Sequence, residues 1–315
     1  AASQALFHAG AFWAAFAAVA VFYFFHSASG PINTSQIFHA IEGTQLRFGA
    51  FRIWGSLGFS AVVLLSGPVL DAAGIDRLGW VFFAAMLPPI AAGLLLRETA
   101  PPAGKKAKPA FTFRDSLRSL MNGRFALFLF SCLLILTPSS VNSVYISLFL
   151  EQLGGSAVSV AWSMFAAAVL EVPLFLLLDR LTRPTARSML SLLLLAAAIF
   201  AVRWVLMGFA QTPLAVVLIQ CLQSFSFGFY IYTAAQMTEF LTEKTYRAGG
   251  QTMYALVQGA LCYVIAGSAG GFLFERLGPH GLYFLCAAVT ALGFCSLLAL
   301  RPLLGRAEEA RAAAN

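Results

Sequence analysis

Apolar runs of about twenty residues recur along the whole chain. A helix rising ~1.5 Å per residue needs about that many apolar residues to cross a hydrocarbon core of ~30 Å. The backbone of a segment in lipid must satisfy its polar groups internally, and these runs are too long and too continuous for barrel strands. They therefore read as spanning helices. The composition agrees: 60% of the residues are hydrophobic and 10% charged, against ~45–50% apolar and ~25% charged in ordinary soluble domains. A soluble globule, a disordered chain, a disulfide scaffold and a nucleic-acid binder are excluded.

The pattern predicts nine spans: Phe12–Phe38, Thr44–Leu70, Gly79–Leu96, Phe125–Leu150, Val158–Asp179, Ser188–Phe209, Leu214–Met237, Gln251–Phe274 and Leu282–Leu300. Gly30-Pro31 breaks the first, and the third carries Pro88-Pro89. With the segment after the third span in the cytoplasm, sixteen of the twenty Lys and Arg residues fall in cytoplasmic loops and tail. Outer loops hold Arg77 and Arg276, and Arg52 and Arg203 lie inside helices. Sixteen against two is a strong positive-inside asymmetry. The net charge of +7 is thus topological, with anionic-lipid contact as its companion. The expected location is the cell (inner) membrane, multi-pass, with linker and C-terminus cytoplasmic.

The one long interruption, Arg97–Arg124, is rich in Pro and Lys and reads as a basic cytoplasmic linker. Within it Phe113–Met121 has the pattern of a surface amphipathic helix. The linker separates three spans from six, whereas transporter folds commonly use six plus six. Position 1 is Ala rather than Met, so the expectation is a chain that has lost its start and with it a first triplet of helices. Cys132, Cys221, Cys262, Cys286 and Cys295 all fall in predicted helices without C-x-x-C spacing and read as packed free thiols. No cofactor or metal is expected.

Several stretches resemble one family. Phe48–Phe59, FGAFRIWGSLGF, opens the second span, and Asp179–Arg187, DRLTRPTAR, resembles the D-R-x-G-x-x-R loop of major facilitator transporters. Glu171-Val172-Pro173, Arg203-Trp204 and Gln220–Gly228, QCLQSFSFG, are similar to the lactose-permease-like and phenylpropionate-type proton symporters. The resemblance implies an all-α, two-lobed membrane protein, a twelve-helix fold truncated to nine. Residues 1–96 would be family helices four to six, 97–124 the linker, 125–300 the six-helix lobe and 301–315 the tail. It also implies alternating access, proton symport of a small organic anion, sugar or nucleoside, and action as a monomer.

By the same resemblance, Arg52 binds substrate and Phe59 stacks on it. Glu171 contributes to binding and Arg203 belongs to the proton-coupling set. The sequence also departs from the pattern. Thr34 stands where the sugar symporters have an acidic substrate ligand, and Gln220, Gln223 and Ser226 replace a lysine, a histidine and a glutamate. Phenylpropionate-type members usually keep the histidine. Their proton relay cannot be carried over intact.

Read physically, Arg52, Glu171 and Arg203 are the strongly ionisable residues set deep in spans. Each costs ~2.5–3.5 kcal/mol at the bilayer centre on insertion scales, so each needs a partner or a wet cavity. Snorkelling and helix bracing are the structural alternatives. Helix rise puts Arg52 and Glu171 both ~12 Å above the cytoplasmic end of their helices, and Arg203 at ~22 Å beside Gln223 and Gln220. These depths favour pairing Arg52 with Glu171, one from each lobe, in a contact that substrate or a proton breaks. Glu171 would take the proton when the lobes part.

Polar spacing suggests a cavity lining. Arg52, Ser56 and Phe59 share a helix face, with Gly55 and Gly58 on the other side suited to close packing. His26, Gly30 and Asn33 share a face, and Asn33 and Thr34 join the candidate substrate ligands. Asn142 and Tyr145 share another face, as do Gln220, Gln223 and Ser224, and of these Asn142, Gln220 and Gln223 are also candidate substrate ligands. An interhelical hydrogen bond is the plainer alternative for each. Gln258 and Tyr254 are weaker candidates, and Gly267 and Gly271 form a packing G-x-x-x-G. Two deep arginines against one glutamate leave a positive surplus, which suits an organic anion. Phe59 and the amides equally suit a sugar or nucleoside.

An intramembrane enzyme is disfavoured, since no H-E-x-x-H, G-x-S-x-G or paired helix aspartates occur. A transport-inactive fragment acting as a binding or scaffold protein is the alternative. The expected partners are a small solute, a proton and the bilayer, with no nucleic acid.

Overall fold

A computed structural model describes residues 13–14, 17, 21–22, 48–74, 77–95, 122–171, 173–174, 177–178, 185–242 and 247–313. Every regular element among them is helical. The chain divides into two compact units, Ala1–Lys106 and Ala107–Asn315. Most of the expected first span, Asn33 and Thr34, the Phe113–Met121 segment and Asp179–Pro184 lie outside the described residues.

In the first unit, α1 (Phe48–Ala73) contains Pro68, and α2 (Leu78–Leu95) runs unbroken through Pro88-Pro89. Gly74 ends α1 at φ 87, its N–H bonded to Leu70 O at 2.9 Å. That left-handed cap suits a residue without Cβ. Trp54, Leu65 and Leu94 are 74%, 70% and 84% exposed, and such surface belongs against hydrocarbon rather than water. Gly55 and Gly58 do not pack closely: among the described residues, an added Cβ at either would meet no atom within 4 Å.

The second unit holds α3 (Gly123–Gln152), α4 (Ala157–Val169), α5 (Ala186–Phe209), α6 (Pro213–Leu241), α7 (Arg247–Leu256) and α8 (Cys262–Ala313). A π-helical turn, Val257–Leu261, joins α7 to α8. Side-chain caps fix three starts. Asn122 accepts from Arg124 N, Thr185 from Ser188 N at 3.3 Å, and Thr212 from Ala215 N at 3.2 Å.

Five helical stretches among the described residues are long and apolar enough to cross a bilayer: Trp54–Ala73, Gly123–Gln152, Ala186–Phe209, Pro213–Leu241 and Gly249–Leu304. The last has 56 residues, ~84 Å of helix at standard rise, far more than one ~30 Å core needs. Gly278 divides it at φ 68 and ψ 174, with Pro279 following. The two predicted spans Gln251–Phe274 and Leu282–Leu300 are therefore the arms of one folded-back stretch. Leu78–Leu94 and Ala157–Val169 are shorter apolar helices; α4 ends at a turn on Leu170, and the described residues beyond it, 171, 173–174 and 177–178, are again helical, in line with the expected span to Asp179.

Contacts to α3 establish the fold-back. In the second arm, Tyr283 meets Asn142, Gly293 faces Ile135, and Ser296 bonds Ser131 at 2.8 Å. Residue numbers rise on one helix as they fall on the other, so this arm is antiparallel to α3. In the first arm, Cys262 approaches Leu133 O, while Tyr145 reaches Ala266 O at 3.2 Å. Numbers rise together there, so the arms run opposite ways. The close crossing uses Gly270 and Gly271, where an added Cβ would lie 2.9 and 3.1 Å from Tyr145. Gly267, half of the expected motif, has nothing that near among the described residues.

The core lies where α3, α5, α6 and α8 converge, with Phe128, Leu193, Phe200, Trp204 and Tyr230 fully buried. α4 packs on α6, where Ser224 donates to Ala167 O at 2.7 Å; beyond α4, Leu174 covers Gly228 of α6.

Candidate functional site

Arg203 is the centre of the second unit's polar chemistry. It projects from α5 into the core and has no exposed surface. Its Nη1 donates to Gln223 Oε1 and, at 3.3 Å, to Ser226 Oγ, both on α6. Helix depth alone put Arg203 and Gln223 at one level, and they meet. Ser226, three residues along the same face, is positioned by its own bonds to Leu222 O and Gln223 O at 3.0 and 3.2 Å.

The guanidinium plane is held by rings. Its central carbon lies 4.0 Å from the Trp204 ring centroid and 5.6 Å from that of Phe200, within cation–π range. Trp204 in turn stacks on Phe200 and Tyr283, each at 6.0 Å and 19°. Tyr283 is fixed by donating to Asn142 Oδ1 at 3.1 Å. So α3, α5, α6 and the second arm of α8 each supply one side of the cluster.

The satisfaction of this cluster is incomplete. Among the described residues, Arg203 Nε and Nη2, Trp204 Nε1 and Gln220 Oε1 are buried without a hydrogen-bond partner. Native interiors seldom leave such groups unpaired, and charged ones least of all. Among the described residues no carboxylate pairs with Arg203.

The other expected site residues divide sharply. The Arg52 backbone is helical within α1, and its side chain lies outside the description. Phe59 is on α1 and half exposed. Asn33 and Thr34 lie outside the described residues. Glu171 is half-buried, one residue beyond the turn that ends α4. Gln220 is buried on α6, one turn before Gln223. Asn142 accepts a hydrogen bond from Tyr283 and Tyr145 donates to Ala266 O, the interhelical bonding weighed beside the lining role.

Tyr283 and Phe200 escaped the sequence reading. Phe200 precedes Arg203 by three residues, a spacing that signals a shared helix face. Tyr283 carries no such signal, because only the fold-back at Gly278 brings it to α5. A separate cavity of about 220 Å³ opens between α3 and both arms of α8. Leu133, Val141, Ile265, Leu273, Leu285 and Val289 line it. Such walls suit hydrocarbon rather than a polar solute.

Comparison with known proteins agrees with this architecture. The MFS_1 like family model matches residues 1–285. The maltose permease of Geobacillus stearothermophilus is 31% identical over 276 residues, 87% of this chain and 68% of the permease. The probable 3-phenylpropionic acid transporter of Escherichia coli K12 is 28% identical over 253 residues, 78% of this chain and 63% of that protein. The chain thus spans about two thirds of the length of these relatives. A mutant of the nucleoside transporter NupG matches the fold with TM-score 0.70 at 17% identity, covering 95% of this chain and 80% of that one. The chain is a multi-pass membrane protein of the MFS_1 like family, within the major facilitator transporters.

Proposed function

We propose that this chain performs proton-coupled symport of a small organic solute by alternating access, with an organic anion preferred over a neutral sugar or nucleoside. Residues 1–96 act as family helices four to six and 125–300 as helices seven to twelve, with the Arg97–Arg124 linker and the C-terminus cytoplasmic. Transport is the activity of the relatives, whose names give maltose and 3-phenylpropionic acid as solutes. The observation that carries the anion preference is Arg203: a fully buried guanidinium with two nitrogens unpartnered. A buried charge costs insertion energy, and a bound anion would offset it directly.

Arg52 and Phe59 contact the solute in this reading, Glu171 takes and releases the proton, and Arg203, Gln220 and Gln223 also bind the solute. Glu171 is the assigned proton carrier because it is the only acid set deep in the predicted spans. The experiment is Glu171→Gln in the full chain in proteoliposomes. Uphill uptake driven by an imposed pH gradient should be lost while solute exchange survives. Undiminished uphill uptake removes Glu171 from the mechanism.

A further inference from the structure

We infer that the Nε/Nη2 edge of Arg203 is a docking edge for the carboxylate of the transported solute. The inference rests on the transport reading above and narrows it to one functional group.

A guanidinium presents five N–H donors in a fixed fork. Here Nη1 is committed to Gln223 and Ser226, both on α6. The nitrogens left over are Nε and Nη2. Covalent geometry sets their outward N–H bonds side by side and parallel along one edge, the edge that a carboxylate grips with both oxygens. A cation kept only to brace helices would spend its donors on helices. Arg203 spends one nitrogen that way and leaves free the pair suited to a planar two-oxygen anion.

The edge is also held still. Trp204 lies 4.0 Å beneath the guanidinium and is itself stacked between Phe200 and Tyr283. Arg203 therefore offers its fork in one plane, which removes much of the ordering cost of binding. Trp204 Nε1–H is a third buried donor with no partner. Gln220 Oε1 is a buried unpartnered acceptor one turn before Gln223 on α6. Three free donor nitrogens against one free acceptor favour an acid over a sugar, whose hydroxyls would need acceptors as well as donors.

The test uses the full chain in detergent micelles, titrated calorimetrically with a series of straight-chain and aromatic monocarboxylates. Each acid is paired with its neutral amide, and glucose and inorganic phosphate complete the set. At least one carboxylate should bind, with its amide weaker by tenfold or more. Arg203→Lys keeps a charge but cannot present two parallel donors, and it should weaken that carboxylate by tenfold or more. Trp204→Phe keeps an aromatic face against the guanidinium, loses the N–H and should weaken it several-fold. The inference is overturned if no carboxylate binds, if acid and amide bind alike, if phosphate alone binds, or if Arg203→Lys binds as the wild type. Uphill transport of a neutral solute with no carboxylate binding would sink this inference and spare the transport reading. Carboxylate binding without transport of any solute would do the reverse.

Discussion

Gln223→Glu tests the state of Arg203 from inside the protein. The replacement is isosteric, and Arg203 Nη1 already donates to Oε1 of that side chain, so a carboxylate arrives in a bonded position. Among the described residues, no hydrogen bond made by Gln223 Nε2 is lost. Two effects compete. Burying a new carboxylate costs several kcal/mol, while an uncompensated buried charge already costs ~3–5 kcal/mol, which pairing would relieve. Charge-assisted bonds are also roughly twice as strong as neutral ones. Because the partner is in place and Ser226 holds the same nitrogen, pairing should win by about 1–2 kcal/mol, a factor of roughly 5–30 in the folded equilibrium. The internal carboxylate would also neutralise the anion site, so carboxylate affinity should fall by a comparable factor. Thermal unfolding in detergent and calorimetric titration read the two numbers. A lower unfolding midpoint, or unchanged carboxylate affinity, refutes the view that Arg203 is short of an anion.

Five further substitutions probe the helical frame. Gly278→Ala forces a Cβ into φ 68 and ψ 174, a region that tolerates essentially only glycine, costing about 1–3 kcal/mol and lowering the unfolding midpoint, whereas Gly55→Ala, whose added Cβ meets no atom within 4 Å among the described residues, should be neutral or stabilising. Asn142→Ala strands the buried Tyr283 hydroxyl at about 1–3 kcal/mol; Tyr283→Phe in the same chain should recover part of the loss. Gly293→Val drives a side chain into Ile135, 2.7 Å from the Cβ position, and overpacking of about 1–3 kcal/mol should appear as lower detergent stability.

Much of the helical frame was legible because hydrophobic length is a local property. Phe125–Leu150 and Ser188–Phe209 match Gly123–Gln152 and Ala186–Phe209 within two residues at each end. The meeting of Arg203 with Gln223 was legible too, since rise per residue sets depth on straight helices. What the sequence hid depends on partners far along the chain. Asn142 looks the same as lining or as an acceptor until Tyr283 is placed beside it. Gly55 and Gly58 have the spacing of a packing face, yet that spacing says nothing of whether a helix comes to meet it. The π-turn at Val257–Leu261 leaves the apolar pattern intact and so has no signature. Arg52 and Glu171 stood out by charge, depth and family resemblance, local features that do not fix what either side chain touches.

The central claim is that this chain moves a carboxylate together with a proton. The direct measurement is external pH while a carboxylate is added to de-energised proteoliposomes, compared with empty liposomes to remove passive entry of the neutral acid. The account predicts an excess rise in external pH that tracks solute uptake and disappears in Arg203→Lys. Uptake with no excess rise, or with acidification of the medium, contradicts it.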